Sequence, residues 1–245
     1  MTFELLLKLT GILFGFIILG SVLCLPLYKW NLRKLITSTI FIKIIWWGPI
    51  FLVLIVLLYG QALAAIIVTA AVVAMSLREF IKNKGSEHSI ALAYFFLFII
   101  WWIHIAIWFL LLPYPLSVQM LAAVAVISVL SDVCAFFFGN YIGKHHLPKW
   151  LNDHKSWEGV SGQIVGAVIG GFVVIHILTI SISPVLIVFI GIASAFGDLA
   201  NSAAKRSLAI KDWGNTIPGH GGLLDRLSSL SLAIAVSFWF LFLGL

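Results

Sequence analysis

Apolar stretches of about 20 residues recur along the whole chain, and this pattern leaves few folds open. Hydrophobic residues make up 62% of the 245 residues and charged residues only 10%, and the mean hydropathy is +1.14. Inside a bilayer every backbone polar group must be satisfied by the protein itself, which favours helices. The sequence therefore predicts an all-α, polytopic membrane helix bundle. No polar stretch is long enough to form a separate soluble domain.

We predict about eight transmembrane helices, with boundaries accurate to a few residues, near 5–28, 44–59, 61–79, 90–112, 115–138, 160–181, 184–201 and 228–245. Only Tyr59, Gly60 and Gln61 separate the second span from the third. The first run is expected to be a membrane helix and not a cleaved signal, because MTFELLLK lacks a basic start. We expect one continuous membrane domain, with N-terminal helices over 1–112 and a C-terminal region over 113–245 that carries the polar motifs.

The basic residues predict the orientation of this bundle. All of them except Lys8 fall in alternate connections, near Lys29–Lys43, Arg78–Lys84, Lys144–Lys155 and Lys205–Arg226. Connections rich in Lys and Arg stay in the cytoplasm, so both termini should face away from it. The net charge of +6 then reflects the basic residues of the cytoplasmic connections, and we do not expect a nucleic-acid-binding surface. We expect an integral multi-pass protein of the cell (plasma) membrane.

One acidic residue, Asp198, ends the apolar run PVLIVFIGIASAFGD and predicts a functional site. A carboxylate at that depth is costly unless it is paired or faces water. If the helix continues, Asp198, Asn201, Ser202 and Lys205 follow one another at i, i+3, i+4 and i+7 along a single face. A solvated helix end with an internal pair between Asp198 and Lys205 is the alternative.

Two further acids extend the candidate site. Asp132 lies inside the apolar run VISVLSDVCAFFFG. The alternative to a functional role is that a Lys or Arg from a neighbouring helix neutralises its charge. Asp225 opens the last helix, where an acid also serves as a partner of the helix dipole. Aspartates that converge from different helices suit Mg²⁺, which prefers oxygen ligands and commonly bridges to phosphates.

The glycine-rich stretch PGHGG, residues 218–222, lies between these acids. Its glycines permit a sharp turn that presents backbone N–H groups to a phosphate, although a plain turn explains them equally well. His145, His146 and His154 lack the ligand spacing of a zinc site. Gly162, Gly166 and Gly170 recur at every fourth residue, which is typical of close helix packing and makes a homodimer an open option.

The stretch SxxKRx₄KDxGxxIPxHGGxxDR, from Ser202 to Arg226, resembles the signature of the phosphatidate cytidylyltransferase family, the CDP-diacylglycerol synthases. SDVCAFFFGNYIGK from Ser131 and KSWEG from Lys155 are similar to further segments of that family. The resemblance covers about residues 125 to 230. It implies a reaction in which phosphatidate and CTP give CDP-diacylglycerol and pyrophosphate, with Mg²⁺ as cofactor and the active site at the cytoplasmic face.

The resemblance also implies roles for individual residues. Asp198 and Asp225 correspond to metal-binding aspartates, and they count with Ser202, Lys205, Asp212 and His220 as catalytic candidates. The residues expected to bind substrate phosphates are Arg206, Lys211, Gly221, Gly222, Arg226, Asp132, Lys155 and Glu158. All these positions are read directly from the sequence.

One position departs from the family motif. The motif ends DRxD, whereas Ser228 stands at its last position here and keeps an oxygen without the charge. An alternative interpretation is therefore a catalytically impaired or substrate-shifted paralogue that acts as a lipid- or nucleotide-binding membrane protein. A transporter is a third interpretation, which is disfavoured because the acids cluster at one face and no inverted repeat is evident.

Overall fold

The fold is a bundle of long helices whose ends alternate between two faces. The computed structural model describes residues 3–83, 89–152, 154–217 and 221–244. The helices are α1 (Phe3–Cys24), α2 (Leu32–Ile36), α3 (Thr39–Lys82), α4 (Ser89–Leu111), α5 (Tyr114–Tyr141), α6 (Trp157–His176), α7 (Pro184–Ser207) and α8 (Leu223–Phe242). Among the described residues the β pairing consists of two isolated bridges. The all-α prediction is confirmed.

Hydrogen bonds between helix ends define the two faces of the bundle. The Tyr141 hydroxyl, at the end of α5, donates to the carbonyl oxygen of Leu23 near the end of α1 (2.7 Å). At the other face, Lys8 near the start of α1 donates to Thr179, which lies between α6 and α7 (3.2 Å). We call the face that holds Tyr141 the site end and the other face the opposite end.

Helix α3 accounts for the two predicted spans 44–59 and 61–79. By length and composition the described residues contain seven helices able to cross a membrane, with Phe51–Lys82 counted once. The backbone of α3 nevertheless leaves helical geometry at Gln61 (φ 53°, ψ −142°), at the predicted separation.

A contact just before Gln61 and a contact at the C-terminal end show that α3 doubles back at Gln61. The Tyr114 hydroxyl donates to the carbonyl oxygen of Leu58 at the opposite end (3.1 Å), whereas Glu79 lies at the site end. A straight α3 would place Thr39 about 30 Å beyond the opposite end, at 1.5 Å per residue. The short connection from α1, much of it helical, cannot reach that far. The halves of α3 therefore make two passes.

The C-terminal helices form the best-packed part of the bundle. Helix α5 packs along α6, and α7 packs along α8. The predicted packing role of the glycines in α6 is confirmed, because Gly162, Gly166 and Gly170 all lie against α5. The glycine face is thus used within the chain, and it gives no reason to expect a second copy there.

Gly166 provides a test of this packing. An added Cβ would lie 2.7 Å from the Cβ atom of Cys134 and 2.8 Å from the Cα atom of Ser131, too close without a shift of α5. We expect Gly166→Ala to lower the free energy of unfolding by about 1–3 kcal/mol. Gly15→Ala in α1 is the matched control, since nothing lies within 4 Å of its added Cβ. Thermal unfolding in detergent should separate the two variants, and equal midpoints would contradict the packing.

Candidate active site

A cavity of about 690 Å³ lies within the bundle, and its wall contains both apolar side chains and carboxylates. Most of the wall is apolar and comes from α1, α3, α4 and α5, with Phe16, Trp46 and Trp102 among its largest side chains. Three carboxylates also line it, those of Asp132, Asp198 and Asp225. Acidic groups from α5, α7 and α8 therefore meet at one largely apolar cavity.

The Asp225 carboxylate is enclosed by the protein. Its side chain is 2% exposed, and its Oδ1 atom accepts a hydrogen bond from the Lys205 ammonium at 2.6 Å. Its Oδ2 atom accepts from the backbone N–H groups of Trp213 (2.8 Å) and Gly222 (2.9 Å). Because Asp225 lies in the first turn of α8, the bond from Gly222 also caps that helix. One carboxylate thus joins α7, α8 and the loop between them.

Asp198 is held by a cation from a different segment. Lys155, which precedes α6, forms an ion pair with Asp198 Oδ2, and both side chains are about one-third exposed. The continuation of α7 to Ser207 confirms that Asp198 and Lys205 share one helix. The internal pair between them, the alternative left open by spacing, is not formed, because each residue pairs with another part of the chain.

Neutral donors hold Asp132. The Gln163 amide donates to its Oδ1 atom (3.3 Å), and the Ser229 hydroxyl donates to its Oδ2 atom (2.7 Å). Among the described residues no Lys or Arg side chain forms an ion pair with Asp132. Ser229 adjoins Ser228, which is buried in α8. The serine that follows Ser228 thus binds a carboxylate of the cavity.

The remaining predicted site residues lie in different parts of the structure. Arg226 lines the cavity. Ser202 is buried in α7, and Lys211 and Asp212 are exposed in the following loop. Arg206 donates instead to the Ile210 carbonyl (3.2 Å) and to Asn152 (3.3 Å).

Glu158 and the glycine-rich stretch differ most from expectation. Glu158 pairs with exposed His145 at 2.6 Å and is absent from the cavity wall. The N–H groups of Gly221 and Gly222 donate to the Ile217 carbonyl and to Asp225, so a phosphate there would have to replace these bonds. Gly221 adopts a positive φ of 91°, which favours glycine at that turn. His220, with Pro218 and Gly219, lies outside the described residues.

Sequence reasoning missed the residues that support this site. Trp213 is fully buried, stacks on Tyr94 with ring centroids 6.2 Å apart, and donates from its indole nitrogen to Asn201 (2.7 Å). Asn83 donates to the Trp213 carbonyl at 2.5 Å. Tyr94 and Asn83 belong to the N-terminal half, so no local spacing could have connected them with the loop.

Comparison with known proteins identifies the family to which this site belongs. Residues 28–243 match the model described as the Cytidylyltransferase family. The chain belongs to that family. A phosphatidate cytidylyltransferase of Brucella suis is 37% identical over 113 residues, which cover 45% of this chain and 42% of the relative.

Two further relatives carry the same name. Phosphatidate cytidylyltransferases of Mycobacterium tuberculosis and Pseudomonas aeruginosa are 38% and 36% identical over 124 and 132 residues. These alignments cover 49% and 52% of this chain and 36% and 49% of the respective relatives. The matched region therefore spans less than half the length of each relative.

The oxygen donors of the cavity fit a hard divalent cation, although two of the carboxylates already have lysine partners. Among the described residues no group of three or more His, Cys, Asp or Glu side chains forms a closed metal site. Asp198 and Asp225 nevertheless line one cavity from two helices, and Mg²⁺ is commonly held by one or two carboxylates together with substrate phosphates. A cation at this position would share both aspartates with Lys155 and Lys205.

The buried ion pair gives a stability prediction. Lys205→Met would leave the Asp225 carboxylate enclosed without its charged partner, and we expect a loss of about 3–5 kcal/mol in the free energy of unfolding. Asp225→Asn added to Lys205→Met should recover part of this loss, because the unpaired charge is then removed. Thermal unfolding of the single and double variants in detergent measures the effect. Additive losses would contradict a direct pair.

Proposed function

We propose that this protein transfers the cytidylyl group of CTP to phosphatidate, giving CDP-diacylglycerol and pyrophosphate in phospholipid synthesis. One observation carries the proposal: carboxylates and Arg226 line a largely apolar cavity in a member of the cytidylyltransferase family. A lipid phosphate needs polar and apolar surroundings side by side. The polar part would take the phosphates, and the apolar part would take the acyl chains.

The reaction joins two polyanions. A phosphate oxygen of phosphatidate attacks the α-phosphorus of CTP, and a new P–O bond forms. The bond from that phosphorus to the oxygen that bridges the α- and β-phosphates breaks, and its electron pair leaves with pyrophosphate. Positioning and charge stabilisation supply most of the catalysis in such transfers.

We assign these tasks to residues around the cavity. Lys155, Lys205 and Arg226 would attract the phosphates and orient them for attack. Asp198 and Asp225 would hold Mg²⁺, and a bound Mg²⁺ would neutralise phosphate charge. Asp132 would keep the neighbouring end of the cavity polar through its bonds to Gln163 and Ser229.

We propose that the other predicted site residues also act at the site end. Ser202, Arg206, Lys211, Asp212 and Glu158 come from segments that contact or adjoin these groups, and His220 belongs to the same motif. In this scheme residues 113–245 supply the reacting groups, and residues 1–112 supply much of the apolar wall.

Turnover provides the direct test. We expect the purified protein in mixed micelles with CTP, Mg²⁺ and phosphatidate to release pyrophosphate, and we expect Asp225→Asn to lower kcat by about 100-fold or more. Glu4→Gln is the matched control, because Glu4 pairs with Lys8 near the start of α1. An inactive natural protein that gains activity on Ser228→Asp would contradict the proposal and favour the impaired paralogue.

We further propose that the site end faces the cytoplasm, where CTP is found, and that the membrane is the cell membrane. Most of the basic residues belong to connections at the site end, as the positive-inside rule requires for a cytoplasmic face. CTP would then reach the polar groups from the aqueous side, and phosphatidate would reach the cavity from the bilayer.

Cysteine labelling tests this orientation. Lys149→Cys, exposed at the site end, should react with a membrane-impermeant maleimide in inverted vesicles and not in intact cells. Ser181→Cys, exposed between α6 and α7, is the matched control and should show the reverse. Both changes are made after replacement of Cys24 and Cys134. Labelling of Lys149→Cys in intact cells would contradict the orientation.

A further inference from the structure

Glu79 is a buried carboxylate that the proposed reaction does not use. It lies in the last turn of α3, is 5% exposed, and is absent from the cavity wall. A buried charge is tolerated only where hydrogen bonds or an opposite charge compensate for lost water. The partners of Glu79 therefore indicate what it does.

Among the described residues, the hydrogen-bond donors to its carboxylate all belong to the segment that leads into Asp225. Its Oε1 atom accepts from the Thr216 hydroxyl (2.5 Å) and from the backbone N–H of Leu223 (2.7 Å). Its Oε2 atom accepts from the backbone N–H of Leu224 (3.1 Å). Leu223 and Leu224 are the first two residues of α8, whose N–H groups have no acceptor within the helix. The positive end of the helix dipole compensates for the charge of Glu79.

Gly222 makes this approach possible. An added Cβ at Gly222 would lie 2.6 Å from Oε2 and 2.9 Å from Oε1 of Glu79. The space beside Gly222 is thus filled by the carboxylate. Gly222, which was expected to bind a substrate phosphate, thus has a different role: it leaves room for the Glu79 carboxylate.

Glu79 and Asp225 fix the same helix start from two sides. Glu79 accepts from Leu223 and Leu224, and Asp225 accepts from Gly222, the residue just before them. A shift of the first turn of α8 would move Asp225 and Arg226 together relative to the cavity. Asn83, one turn after Glu79, strengthens the link by donating to both the Glu79 and Trp213 carbonyl oxygens.

We propose that Glu79 is a positioning residue that sets the place of Asp225 and Arg226 for the transfer reaction. The proposal rests on the proposed function, since it concerns the rate of that reaction. Glu79 acts through the start of α8 and the loop before it, and it does not touch the substrates. An N-terminal helix would in this way control the geometry of groups supplied by the C-terminal motif.

Glu79→Gln separates positioning from a general structural role. It keeps the size of the side chain but turns an NH₂ group toward backbone donors. We expect kcat to fall by about 10- to 100-fold, the cost of a small misplacement at a reacting centre, while KM for CTP and for phosphatidate changes by less than about threefold. Hydrogen–deuterium exchange should rise in residues 221–227 and remain unchanged in α5 and α6.

Glu79→Asp and Gly222→Ala refine the test. Glu79→Asp keeps the charge but is shorter, so its kcat should be intermediate. Gly222→Ala should displace the carboxylate and lower kcat, and the double variant with Glu79→Gln should lose little more than the worse single variant. A double variant whose losses multiply would overturn the proposal.

Controls separate failure of this proposal from failure of the proposed function. Natural protein and Glu4→Gln must both turn over; if neither does, the reaction itself is wrong. If they do, a folded Glu79→Gln with unchanged kcat overturns the positioning role. Should Glu79→Gln fail to fold, Thr216→Val decides: a lower kcat at unchanged KM supports the proposal, and an unchanged kcat overturns it.

Discussion

The ion pair between Lys205 and Asp225 is the interaction on which the rest of the site depends. The two side chains are 13% and 2% exposed, so both charges have left water and each requires the other. The pair joins α7 to the first turn of α8. The carboxylate also binds the backbone of Trp213, near the middle of the intervening loop, and of Gly222, at its end. Removal of either partner would disturb the helices and the loop together.

The other acids at the site end follow the same physical rule with different partners. Asp198 uses Lys155, Asp132 uses Gln163 and Ser229, and Glu79 uses the N-terminus of α8. Each acid is therefore compensated by a segment distant in sequence. The result is a polar group of residues at the site end of an otherwise apolar bundle, beside a largely apolar cavity.

Much of the fold could be predicted because lipid leaves few alternatives to helices. The apolar runs gave the helices, although α7 ends at Ser207 and not at 201, and α8 begins at Leu223 and not at 228. Even the separation at Gln61 was visible as a short polar turn. The polar face of α7 followed from helical spacing. The choice of ion-pair partners could not be predicted from helical spacing. Asp198 pairs with Lys155 and not with Lys205, because pairing depends on how α6, α7 and α8 are placed in space. Glu79 and Asn83 gave no signal, since their partners lie more than a hundred residues away.

The central claim is that a cytidylyl group passes from CTP to a lipid phosphate at this site. The most direct measurement supplies the natural protein with phosphatidate and CTP labelled with ³²P at either the α- or the γ-phosphate, and then extracts the lipid. The account predicts that α-label enters the lipid phase and that γ-label remains in water as pyrophosphate. Lipid that carries γ-label, or that carries neither label, would contradict it.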